Sequence, residues 1–200
     1  YKMYPESLKN LVDSLQMFSG IGEKTAERMA FSILNFEEEQ IQTLKQSIED
    51  IQKNIHSCPI CNSLTDQEIC PVCHDPNRDS TTLCVVEDPK NVFLFEKLGT
   101  YNGKYHVLSG LISPLDDINP EDIKLEKLIE RITKDNVKEV ILAFKPSVEG
   151  EITALYIKKV LEGLNVIVSR LASGVPMGAD MEYIDNLTLE RALEERRKIS

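Results

Sequence analysis

The chain has 200 residues, 42% of them hydrophobic, so one large domain or several small ones can bury a core. No run of about 18 apolar residues is present, so the sequence offers no membrane span. The net charge of −10 weighs against a protein that binds nucleic acid over a broad basic surface. The first residues, YKMYPESLKN, hold no apolar core of a secretory signal, and a cytoplasmic address is the default expectation.

Residues 1–54 read as helical. Leu8, Leu11, Val12 and Leu15 recur at helical spacing, as do Ala26, Met29, Ala30, Ile33 and Leu34. Between them Ser19-Gly20-Ile21-Gly22 is a short turn, and a third, more polar helix is expected over about 38–54. Residues 55–77 lack periodicity and hold four cysteines with Pro59, Pro71 and Pro76, a loop pair organised by a metal. From residue 80 apolar runs predict buried strands at 83–86, 105–108, 140–143 and 166–168. Helices are expected between them at about 89–98, 121–134 and 151–163, an alternation that predicts a parallel, doubly wound sheet. The tail, 177–200, is acidic and then basic, with a helix from about 188.

The cysteine spacing is Cys58-x2-Cys61-x8-Cys70-x2-Cys73. Each CxxC pair turns two thiolates to one side, and the loop between folds the pairs into a tetrahedron, the geometry zinc prefers. Four thiolates leave no position for water, so the expected zinc ion is structural. The odd count of five cysteines and their clustering argue against a disulfide framework. Cys84, in a run with Val85 and Val86, reads as a small buried hydrophobe; His56 and His74 flank the cluster as substitute ligands or, the preferred reading, as surface residues.

Gly20 and Gly22 precede a helix whose first amide N–H groups suit a phosphate, and Lys24 and Arg28 follow one turn apart on one face. This is the helix-hairpin-helix pattern of sequence-independent DNA binders; a plain helical hairpin with glycine in its turn is the other reading. Residues 1–54 hold six Lys/Arg against nine Asp/Glu, so any DNA contact must be local.

Glu87 follows the first strand, and Lys145-Pro146-Ser147-Val148-Glu149-Gly150-Glu151 follows the third, at strand ends where open α/β sheets place ligands. This layout over about 80–176 resembles the Toprim domain of topoisomerases and primases. Active Toprim enzymes hold magnesium with a glutamate and an Asp-x-Asp pair. Lys145 and Ser147 stand at the two aspartate positions, so the resemblance implies the fold without the catalytic metal site. Glu149 and Glu151 also suit a helix N-terminus on electrostatic grounds alone.

The order of these parts resembles the RecR family of bacterial recombination mediators. The stretches that carry it are GIGEKTAERMAF (20–31), CPICNSLTDQEICPVC (58–73), LCVVEDP (83–89), HVLSGLISPLDDINPEDI (106–123), VEGEITALYI (148–157) and SRLASGVPMGADMEYID (169–185). The resemblance implies a multi-domain α/β chain: a helix-hairpin-helix domain (1–54), a four-cysteine zinc finger (55–77), a Toprim domain (80–176) and a helical oligomerisation tail (177–200). It implies a non-enzymatic scaffold, a homo-oligomeric ring of four or two chains. With RecO, and in some settings RecF, it helps to load RecA on single-stranded DNA coated with SSB. It assigns Gly20, Gly22, Lys24 and Arg28 to DNA, the four cysteines to zinc, and Glu87, Glu149 and Glu151 to a partner protein. The tail around Asp180, Tyr183 and Asp185 resembles the family's C-terminal motif. The rival readings are a magnesium-dependent Toprim nuclease or primase-like enzyme using Glu87, Glu149 and Glu151, and a zinc-ribbon module without DNA contact.

Overall fold

A computed structural model describes residues 3–108 and 110–198; residues 1–2 of the expected first domain, Ser109 within the stretch 106–123, and 199–200 of the expected tail lie outside them. The chain divides into two compact units, Tyr1–Ile55 and His56–Ser200.

The first unit is three helices: α1 (Glu6–Leu15), α2 (Glu23–Ile33) and α3 (Glu38–Asn54). The apolar positions read at helical spacing pack α1 on α2. Val12, Ala26 and Ala30 are buried, with Leu8, Leu11, Leu15 and Ile21 around them. Two alanines at the contact let the helix backbones approach closely. Helix α3 begins where the Glu37 N–H donates to the Gln40 side chain at 2.9 Å. It buries no residue of its own. Leu44, Ile48, Ile51 and Ile55 recur at spacings of three and four and stay exposed, Ile51 at 64%.

The second unit is a four-stranded parallel sheet ordered β4-β3-β5-β6, built from β3 (Asp79–Val86), β4 (Gly103–Val107), β5 (Glu139–Ala143) and β6 (Ile167–Arg170). A two-residue antiparallel pair precedes it, β1 (His56–Ser57) and β2 (Leu64–Thr65), followed by the one-turn helix α4 (Pro71–His74). Both faces of the sheet are covered. Leu83 and Val85 point to the side of Leu128, Ile132, Ile157 and Leu161 on α6 (Glu126–Lys134), α7 (Val148–Val160) and the turn after it. Cys84 and Val86 point to the opposite side, with Val92 of α5 (Pro89–Leu98), Tyr105 and Val107. That alternation in an unbroken apolar run is the mark of a strand buried on both faces. Burial pushes the Cys84 thiol up to about 12, as suits a core hydrophobe.

Arg78 ties the start of β3 to its neighbours. Its guanidinium pairs with Glu96 of α5 and donates to the carbonyls of Tyr101 (3.3 Å) and Gly103 (3.4 Å). Tyr105 Oη donates to the same glutamate at 2.7 Å. The Arg78 hydrogen bond holds the Glu96 carboxyl below its ordinary range.

Two element boundaries differ from the sequence reading. The expected helix 121–134 is broken: a 3-10 turn, Pro120–Ile123, ends at Lys124 with φ +49°, and α6 follows. The left-handed residue turns the chain so that Ile123 and Leu125 both enter the core, which one continuous helix would not allow. Helix α7 starts at Val148, earlier than the expected 151, because Ser147 caps it, its Oγ accepting from the Gly150 N–H at 3.1 Å. The tail helix α8 is Asn186–Glu194, and Asp185 caps it through the Thr188 N–H at 2.9 Å.

Gly150 is where α7 meets the β5 end most closely. A Cβ there would lie 2.4 Å from the Lys145 carbonyl oxygen, a backbone atom that cannot swing aside. Gly150→Ala is therefore expected to destabilise the second unit by about 1–3 kcal/mol. A denaturant midpoint equal to the parent's would contradict this packing.

Candidate functional site

The backbone of residues 56–74 shapes the cysteine cluster locally. β1 and β2 bring the first CxxC into a tight knuckle: Cys58 N–H donates to the Ser63 carbonyl at 2.7 Å and Asn62 N–H to the Cys58 carbonyl at 2.9 Å. Asn62 takes φ +61°, a conformation asparagine tolerates. In the second pair Cys70 is the N-cap of α4 and Pro71 its first residue. Backbone N–H groups aim at sulfur: Ser63 at Cys61 (3.5 Å), Cys70 at Cys58 (3.5 Å) and Cys73 at Cys70 (3.4 Å). Such donors favour thiolate.

The four sulfurs lie within 4.8 Å of one another, with Cys61 and Cys70 3.5 Å apart. A tetrahedral zinc–thiolate sphere with bonds of about 2.3 Å requires sulfur separations of roughly 3.8 Å. The donor set and its spacing therefore fit one zinc ion. Cys58, Cys61 and Cys70 are buried and Cys73 partly so. Hydrogen bonding to Cys70 pushes the Cys61 thiol up, and the same contact holds Cys70 down. Cys73 is pulled down by its hydrogen bond with Cys61 and, more weakly, by the Arg131 guanidinium. Hydrogen bonding to Cys70 and burial push it up, and the net effect is upward, to about 12. A bound zinc ion would hold all four as thiolates.

This knuckle is seated on the sheet. Val107 N–H on β4 donates to the Cys61 carbonyl at 2.7 Å, and the Asn62 side-chain amide donates to the Val107 carbonyl at 3.1 Å. Lys104 Nζ reaches the Cys73 carbonyl at 3.5 Å, and Val72 of α4 packs on the cluster of Val86, Tyr105 and Val107. β4 is an edge strand, so the metal knuckle occupies hydrogen-bonding groups that an open edge would present. Nothing in the cysteine spacing announces this seating.

The second candidate is the hairpin turn of the first unit. The Ile21 N–H donates to the Phe18 carbonyl at 3.1 Å, and Gly20 takes φ +84°, the third position of a tight turn that asks for glycine. Ile21 packs into the α1–α2 core. Gly22 is the N-cap of α2 and has no side chain to satisfy the helix's first N–H groups. Gly20, Gly22, Lys24 and Arg28 are all exposed, the two cations on successive turns of α2. Nearby Glu27 accepts from Tyr4 Oη at 3.2 Å.

The third candidate is the carboxyl end of the sheet. Val86 and Ala143 are paired neighbours at the ends of β3 and β5, so Glu87 and Phe144 follow them at the point where the strand order reverses. Glu87 is half-buried, with one carboxylate oxygen, Oε2, buried without a hydrogen-bond partner. Lys145 is exposed, and Glu149 and Glu151 stand in the first turn of α7. The Glu149 carboxyl is held below its ordinary range by its own backbone N–H, by Ser147 and by the charge of Lys145. Glu151 is engaged within the chain: Arg170 binds both its oxygens, at 3.0 and 3.2 Å, and also pairs with Glu195 of the tail. Ser173 donates to that tail glutamate at 2.9 Å. Among the described residues, no group of carboxylates converges at metal-ligand spacing; only the four cysteines do. Of the tail residues, Asp185 is spent on capping and Tyr183 is 81% exposed.

Fold and sites together define a Toprim-fold protein carrying a helix-hairpin-helix unit and a four-cysteine zinc finger. Family models match along the chain in that order: the RecR helix-hairpin-helix at 8–52, the RecR four-cysteine zinc finger domain at 55–75, the Toprim domain at 81–172 and the RecR C-terminal segment at 174–197. Recombination protein RecR of Lactobacillus helveticus (strain DPC 4571) is 44% identical over 194 residues, covering 96% of this chain and 98% of that protein. The chain belongs to the RecR family of recombination proteins.

Each of Cys58→Ser, Cys61→Ser, Cys70→Ser and Cys73→Ser is expected to lower bound zinc well below one ion per chain, while Cys84→Ser leaves it at one. Metal analysis of the purified variants checks this. Full zinc in any of the first four would break the assignment.

Proposed function

We propose that this chain is a non-enzymatic mediator of recombinational DNA repair, acting in the cytoplasm as a DNA-binding ring. It works with RecO, and with RecF where that protein takes part, to load RecA on SSB-coated single strands. The observation that carries the DNA contact is the turn of the first unit: a left-handed Gly20, an uncapped helix start at Gly22, and Lys24 and Arg28 exposed beyond it. Such a site grips phosphate without reading sequence. The working divisions are a DNA-binding hairpin at 1–54, a zinc finger at 55–77, a Toprim domain at 80–176 and an oligomerisation tail at 177–200.

Three features support the scaffold reading. Lys145 stands at the position of a metal-binding aspartate, and a cation there repels magnesium. The exposed stripe Leu44, Ile48, Ile51 and Ile55 on α3 has the spacing by which helices of two copies pack, which supports a homo-oligomer of two or four chains. Glu87 and Glu149 lie at the sheet's carboxyl end as an acidic surface for a basic partner, with Glu151 positioned beside them by Arg170.

The excess of acidic residues predicts weak DNA binding by the chain alone and stronger binding with the basic partner present. Lys24→Glu is expected to weaken binding about tenfold for any DNA sequence and to lower the log–log salt slope by about 1. Electrophoretic shift at several salt concentrations measures both. An affinity unchanged by the substitution would remove the hairpin from the interface.

A further inference from the structure

Phe18 opens the tight turn that presents Gly20 and Gly22. Its carbonyl accepts from the Ile21 N–H at 3.1 Å, so Phe18 and Ile21 are the first and last residues of that turn, with Cα atoms within about 7 Å of each other. The two apolar side chains have opposite fates. Ile21 packs into the α1–α2 core, which closes around Val12, Ala26 and Ala30 without Phe18. Phe18 is 60% exposed, and among the described residues no other ring packs on it. An aromatic ring left in water on a short turn adds nothing to the packing of the hairpin, and its hydration is unfavourable until something covers it.

The charge beside the ring points to what covers it. Gly22 leaves the first N–H groups of α2 without a side-chain cap, and Lys24 and Arg28 are exposed on the turns that follow. A positive site next to an exposed ring fits a polyanion that carries flat, aromatic groups of its own. A single strand of DNA is such a ligand: its phosphate goes to the cations and N–H groups, and a base without a complement stacks on the ring. In a closed duplex the bases already stack on one another, and freeing one costs unpairing and unstacking. We propose that Phe18 is a base-stacking platform that makes the hairpin turn prefer single-stranded DNA to duplex, a role that rests on the phosphate reading of the same turn. Every base has a face to offer, so the preference is for strandedness and not for sequence.

The chain contains no tryptophan, so Phe18→Trp places a single fluorescent reporter at the turn of the full-length protein. At low salt, its emission is expected to be quenched on saturation with an oligothymidylate and to keep its free value with relaxed, covalently closed circular duplex. Phe18→Ala is expected to weaken oligothymidylate binding about tenfold while keeping the log–log salt slope, and to leave duplex affinity within about twofold of the parent's. Phe18→Tyr keeps the parental affinity, and Phe18→Leu loses as much as Phe18→Ala, because a ring face holds the base and apolar bulk does not. Lys24→Glu, measured alongside, separates two failures. If it weakens binding while Phe18→Ala binds the oligothymidylate as the parent does, the phosphate site stands and the stacking role is refuted. If neither substitution changes the affinity, the turn is not at the DNA and both roles are refuted. Unquenched emission at saturation, recovery in Phe18→Leu, or equal loss on single strand and duplex would also overturn the stacking role. So would a changed particle mass in Phe18→Ala, the mark of a ring covered by a second copy of the chain.

Discussion

The hydrogen bond from the Val107 N–H to the Cys61 carbonyl, with the return bond from Asn62 to the Val107 carbonyl, joins a metal knuckle to the outer strand of a sheet. β4 has a hydrogen-bonded neighbour on one side only. Its other side would present main-chain groups to any passing strand. The knuckle fills the Val107 positions, Arg131 the Tyr105 carbonyl and Arg78 the Gly103 carbonyl, so the outward carbonyls of the strand are taken. The closure is made by a segment too small to hold its shape by apolar burial, and that segment depends on its metal for order. Zinc therefore does structural work beyond its own loop. The four ligands fall inside the second compact unit, and their knuckle is bonded to its sheet.

Electrostatics divide the chain into regions with different tasks. The chain is acidic in total, while Lys24 and Arg28 place exposed positive charge beside the N-terminus of α2, which has no side-chain cap. At the carboxyl end of the sheet the Toprim layout is kept, but Ser147 is a helix cap and Lys145 helps to hold down the Glu149 carboxyl. The Glu151–Arg170–Glu195 cluster fastens the tail beside that surface with ion pairs that are half exposed and accordingly modest. A tail held this way can exchange contacts at low cost, which suits the oligomer proposed for it.

Much of this is legible in the chain. The CxxC spacing specifies the metal geometry because it dictates local turns. The strands at 83–86 and 140–143 and the helices at 38–54 and 89–98 are visible because burial on both strand faces and helical periodicity each leave a direct pattern. What stays hidden depends on long-range docking or on single backbone angles. Lys124 breaks an otherwise good helical pattern through one left-handed residue, which no propensity announces in lysine. The seating of the knuckle on β4 joins residues about 45 apart through main-chain atoms, which carry no side-chain signature. Arg131 does leave a trace, a charge at an apolar position of α6, and His106 leaves another in a buried strand. Polar or charged residues at core positions of an apolar pattern are the signal that could have located these contacts.

Hydrogen exchange of the β4 peptide, compared between zinc-loaded and chelated protein, addresses the edge closure most directly. Removing zinc is expected to deprotect residues 56–74 and 103–107 together, while β5 at the sheet's interior keeps its protection. Protection of 103–107 unchanged in metal-free protein whose 56–74 segment exchanges freely would show that the edge of the sheet does not depend on the metal.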